Sequence, residues 1–188
     1  MTQKNFLTIV AHCVLVSTSN LYAQTPTPSA TTPETFRDPF TVKFQFDKKH
    51  KVEQKFDKTP YVSEKTIYVF PGEEFGITVR REGDEVSEIS YQQDLKKADV
   101  TFKFEVRNLG KQSMMMLTVQ SNLDKTLLMD GWMLLPGYKE PVKTTLEPLF
   151  PHLFGVESWP QPILELELKN LRLAAAPKGL AGTPQGSM

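Results

Sequence analysis

Cysteine is nearly absent: Cys13 is the only one in 188 residues. The chain therefore cannot close an internal disulfide, build a four-cysteine zinc site or carry a Cys-X-X-Cys redox pair. A surplus of charge is also missing, with 22 basic against 22 acidic side chains. Phosphate contacts need a clustered basic excess, so nucleic acid is not expected as a partner. Histidine is scarce, with His50 and His152 the only two beyond residue 23, and no serine sits in a Gly-X-Ser-X-Gly elbow. Glycine is low beside proline, 10 against 14, which favours turns and sheet edges over long helices. Apolar residues at 39% and charged residues at 23% are the mix of an ordinary globular domain.

The first 23 residues read as a secretory signal peptide. Lys4 precedes an apolar run from Phe6 to Val16, and Ala23 supplies a small residue for cleavage. The run is far shorter than the ~20 residues that cross a bilayer, and no later apolar stretch is long enough either. Cys13 follows His12 inside that run, which is not the setting of a lipid-modified cysteine. Cleavage would remove Lys4 and Cys13, leaving 21 basic against 22 acidic residues, a net charge of −1. The product is expected in a bacterial periplasm or outside the cell, in soluble form. Residues 24–38 (QTPTPSATTPETFRD) hold little that could be buried and read as a flexible Thr/Pro-rich linker. Residues 174–188 read as a second loose end.

Between them, residues 39–173 alternate with period two. Phe40, Val42, Phe44 and Phe46 are interleaved with polar residues, as are Ala98, Val100, Phe102, Phe104 and Val106. Such alternation puts one set in a core and the other in water along a strand. Phe75, Ile77 and Val79 repeat it after Pro71-Gly72, and Met115, Leu117 and Val119 do so after Asn108-Leu109-Gly110. The turn Glu82-Gly83-Asp84 predicts a hairpin of 74–81 with 85–92. Leu164, Leu166 and Leu168 alternate in the last strand, and a parity change near Asn170 predicts a bulge. Seven to nine short strands point to an immunoglobulin-like antiparallel β-sandwich, with a small closed β-barrel as the alternative.

Chemistry is sparse. His50 sits in a charged hairpin tip and reads as a solvated turn residue. The segment 146–159 (LEPLFPHLFGVESW) is dense in apolar residues, and its prolines oppose regular pairing. It reads either as a crossover that plugs one end of the sandwich or as an exposed recognition patch, with His152 and Glu157 at its rim. The candidate partner-binding residues are Tyr138, Phe150, His152, Phe154 and Trp159. Met114 and Met116 share a strand face and could hold Cu(I), although no histidine is near in sequence. His152 with Glu157 could serve a small hydrolase or carbohydrate-active site, but no third group is in view. Trp132, after Asp130-Gly131, is expected in the core. The acidic positions around Glu73 and Asp84 and the lysines around Lys48 read as solvated charges. No cofactor is expected. These features favour a non-enzymatic exported sandwich that binds another envelope component, a protein, through residues 146–159.

Overall fold

The computed structural model describes residues 34–175, apart from 49 and 111. The signal peptide, most of the linker and nearly all of the C-terminal tail lie outside the described residues. Fourteen strands follow in order: β1 (Phe36–Arg37), β2 (Phe40–Gln45), β3 (Lys51–Phe56), β4 (Thr59–Pro60), β5 (Val62–Ser63), β6 (Thr66–Val69) and β7 (Glu73–Glu82). The second half adds β8 (Glu85–Gln92), β9 (Val100–Leu109), β10 (Gln112–Ser121), β11 (Thr126–Leu134), β12 (Val142–Thr144), β13 (Phe154–Trp159) and β14 (Glu165–Ala174).

Ten of these strands form two antiparallel sheets. Sheet I has the order β13-β10-β9-β7-β8, and sheet II the order β12-β11-β14-β6-β5. Neither sheet closes on itself or joins the other through a strand ladder, so the fold is a β-sandwich and not a closed barrel. The strand count exceeds the expected seven to nine because short pairings, such as β1 with β4, have no period to read. The expected hairpin is present: β7 and β8 pair from Gly76↔Gln92 to Glu82↔Glu85.

The inward faces follow the alternation. Phe75, Ile77, Val100, Phe102, Phe104, Met115 and Leu117 of sheet I are almost fully buried, as are Ile67, Val69, Leu127, Leu166 and Leu168 of sheet II. They belong to one continuous core. Burying a side chain of this size contributes about 1.5–3 kcal/mol, against the entropy of ordering it. β2 and β3 join neither large sheet; they form their own hairpin, from Phe40↔Phe56 to Gln45↔Lys51. Val42 and Val52 of this hairpin pack on Phe70 and Leu164 in a second, smaller core.

Two expectations are corrected here. The linker does not extend to residue 38, because Phe36 and Arg37 pair with Pro60 and Thr59, and Arg37 is buried. Trp132 is not core. In β11 the buried parity is Leu127, Met129, Gly131 and Met133, so Trp132 shares the outer face with Asp130. Its ring lies between the ammonium groups of Lys143 and Lys169, 5.4 and 5.2 Å from the ring centre. The polar Asp130 at the same parity was the signal for that orientation.

Candidate functional site

The segment between β12 and β13 divides its apolar residues between two surroundings. Leu127 and Leu149 exchange backbone hydrogen bonds in both directions, at 2.8 and 3.0 Å. This bridge draws Leu149 into the gap between the sheets, where it is 4% exposed. Phe150, half-buried, opens a turn in which the Leu153 N–H donates to the Phe150 carbonyl at 3.3 Å. Pro151 at the second position and His152 at a φ of 56° match a type II turn. His152 is therefore held outward by backbone geometry. The Ser121 N–H then donates to the Leu153 carbonyl at 2.9 Å and starts the pairing of β10 with β13.

In β13 the usual alternation is inverted. Gly155, Glu157 and Trp159 turn inward, while Phe154, Val156 and Ser158 turn to solvent. Trp159 sets this phase. It is 7% exposed, stands edge-on to Phe104 at 6.3 Å, and donates its indole N–H to Thr144 Oγ1 at 2.9 Å. Glu157 uses one carboxylate oxygen to accept the Glu147 N–H at 2.7 Å, tying the crossover to the strand. Gly155 has no side chain to send inward. A pocket of about 60 Å³ opens beside it, lined by Leu117, Val119, Met129, Leu146 and Leu149 among others. The outward apolar pair is left bare, Phe154 at 71% exposed and Val156 at 47%, and Leu153 of the preceding turn is 49% exposed.

Among the described residues β13 is also an edge strand, paired only with β10. The Ser121–Leu153 bond sets the hydrogen-bonding parity. In an antiparallel ladder the residues that bond across alternate. Residues 153, 155, 157 and 159 accordingly address β10, and the N–H and C=O groups of Phe154, Val156 and Ser158 point off the sheet. A bare apolar face and a row of backbone groups with no partner among the described residues thus coincide on β13.

No protein-family model, curated protein or solved structure matches this chain. The edge has to be understood from its own chemistry.

The other candidate residues lie elsewhere or are otherwise engaged. Tyr138 is 60% exposed, in a turn where its N–H donates to the Leu135 carbonyl at 3.1 Å. That turn follows the Leu134 end of β11, whereas the crossover bridges the Leu127 end, so Tyr138 does not join Phe154. No hydrogen bond or ion pair joins His152 to Glu157 among the described residues. Met114 and Met116 do share a face, half-buried on the outer side of sheet I opposite Arg107 and Glu105. Met115 is fully buried, and Met129 and Met133 line the core from sheet II, so the methionines are split between two faces. Among the described residues no three His, Cys, Asp or Glu side chains come together as a metal cluster. His50 is exposed at the β2–β3 tip, with Nδ1 2.6 Å from Asp47 Oδ2.

Leu153 and Val156 are the residues that the sequence reading missed. Both stood in the segment already singled out, but its prolines concealed a strand. Without the strand, the solvent-facing parity of Val156 could not be assigned.

Proposed function

We propose that this is a non-enzymatic β-sandwich, exported by its N-terminal signal peptide, that binds a protein of the cell envelope through β13 and the turn before it. The observation that carries this reading is the inverted alternation on an edge that no further strand pairs with among the described residues. A strand that turns glycine and glutamate inward while showing phenylalanine and valine to water is costly unless another surface covers it. Edge strands present unpaired donors and acceptors, which an extended segment of a partner can satisfy by strand addition. Phe154 is the anchor, Val156 extends the apolar contact along the strand, and Leu153, His152 and Phe150 border it from the preceding turn. Export is supported by Lys4, the apolar run to Val16 and Ala23. Among the described residues no helix is long and apolar enough to cross a membrane.

The experiment is capture from an envelope extract with the purified chain as bait. Phe154→Ser and Leu153→Ser should abolish capture while leaving the melting temperature within about 1 °C, since exposed positions contribute little to stability. Trp159→Ala should instead destabilise the fold by about 3–5 kcal/mol. Recovery of the same proteins by the two serine variants would sink the reading.

A further inference from the structure

We infer that the edge formed by β13 takes a second copy of this chain, the two strands pairing antiparallel about a two-fold axis through Gly155. The inference rests on the reading of β13 as a protein-binding edge and names the partner.

The two five-stranded sheets have four edges among the described residues, and three are blunted. β8 carries Glu85 and Glu88, β12 has three residues and β5 has two. Of the small sheets, β1 and β4 have two residues each, and β2 and β3 carry Lys43, Lys51, Glu53 and Lys55. Charged or very short edge strands resist pairing with another chain. β13 has six residues, and its only charge, Glu157, is turned inward and bonded to the Glu147 N–H. Its outward N–H and C=O groups, on Phe154, Val156 and Ser158, meet no partner among the described residues.

The sequence of β13 is self-complementary about Gly155. In that register Phe154 faces Val156 of the second copy, and Val156 faces its Phe154. Aromatic and β-branched residues opposite one another are favourable cross-strand pairs. Both pairs fall on the exposed face, so four apolar side chains merge into one patch. Gly155 faces itself in the close, non-hydrogen-bonded position, where Cα atoms approach to about 4.5 Å. Glu157 faces Leu153, so no like charges meet. Moving the axis one residue to Val156 would set Phe154 opposite Ser158 and lose both aromatic pairs. The balanced charge of the chain, 22 basic against 22 acidic residues, adds little repulsion between copies. An isologous two-fold contact of this kind is the commonest route to a dimer. Its modest area makes it a reversible one.

The test is sedimentation equilibrium on the full chain alone, over concentrations up to about 1 mM, where even a weak contact registers. The wild type should shift from monomer to dimer. Phe154→Lys and Val156→Glu should each weaken association at least about tenfold, a loss of roughly 1.4 kcal/mol. An equal mixture of the two should recover it, because one pair becomes Lys opposite Glu and the other stays Val opposite Phe. The double variant F154K/V156E should also recover it, with two Lys–Glu pairs. A wild type that stays monomeric, single variants that associate like wild type, or a mixture that stays monomeric would each overturn the inference. The envelope-capture experiment separates the two readings. A monomer whose captured protein is lost on Phe154→Ser overturns self-pairing alone. A dimer that captures nothing confines the edge to its own copy.

Discussion

At the residue scale the best-anchored polar group is the Arg37 guanidinium. It forms a two-pronged pair with Glu73, Nε to Oε1 at 2.5 Å and Nη2 to Oε2 at 2.7 Å. Its remaining donors reach the carbonyls of Pro60 and Tyr68, both at 2.7 Å. The cation also stacks 3.7 Å from the Tyr61 ring centre. One side chain thereby connects β1 to β4, β6 and β7. A buried arginine of this kind is fixed by its fork of donors, which lysine cannot reproduce. Arg37→Ala should cost about 3–5 kcal/mol in urea unfolding, because Glu73 would be left half-buried with its charge uncompensated. Arg37→Lys should recover less than half of that loss. A loss below about 1 kcal/mol would mean that Glu73 re-solvates freely and that the pair is ornamental. None of this was legible in the sequence. Arg37 closes a stretch whose composition is that of a tether, and its partners lie far along the chain.

At the element scale, β14 shows how far alternation reaches. Leu166 and Leu168 point inward, then the parity changes so that Leu171 is buried. The pairing with β11 steps from Asp130↔Lys169 to Leu128↔Arg172, placing two residues of β14 against one of β11. Asn170 accommodates the bulge with a φ of 53° and donates Nδ2–H to Asp130 Oδ2 at 3.0 Å. Asn170→Gly should therefore be close to neutral, whereas Asn170→Val, β-branched in a left-handed conformation, should lose about 1–2 kcal/mol. Equal stability of the two variants would show that the bulge relaxes without strain. This element was legible because leucines mark its inner face and charges its outer face on both sides of the break. β13 was not legible, for the converse reason: its inward positions are Gly155 and Glu157, and its outward positions are Phe154 and Val156. Only pairing with β10 and the burial of Trp159 give it a direction, and both are long-range facts. Trp132 was misplaced for a different reason: its size suggested a core, although its parity with Asp130, legible in the sequence, turns it outward.

At the scale of the whole molecule, the β2–β3 hairpin is a separate layer over the Leu134 end of sheet II. Among the described residues no strand ladder joins it to either large sheet, and side chains hold it there: Phe70 meets Phe40 and Phe56 edge-on at 4.8 and 4.9 Å, and Tyr68 and Leu134 pack against the same cluster. An isolated two-stranded hairpin is marginal in water, so its order depends on this docking. Glu165 adjoins the docking surface, following Leu164 of that cluster in sequence. It is the register partner of Leu134, shares the outward parity of Glu167, and has no hydrogen bond or ion pair among the described residues. Burial pushes its carboxyl up to about 7, aided by the charges of Glu167 and Glu73 and opposed by Arg37 and Lys169. In the unfolded chain the same group titrates near 4.5. Between those values the folded state binds the extra proton, so stability falls as pH rises. Below 4.5 both states are protonated and the effect vanishes; above about 7 the full penalty is present. The loss across this window should be on the order of 1–3 kcal/mol. Glu165→Gln should remove that part of the slope, and it should leave the variant more stable than wild type at about pH 8 but not at about pH 4. Hydrogen exchange should place the difference in β2 and β3, whose protection relative to the intrinsic exchange rate would fall at the higher pH in the wild type only. Parallel slopes for the two proteins would mean that Glu165 reaches water in the folded state, and that the hairpin docks without regard to its charge.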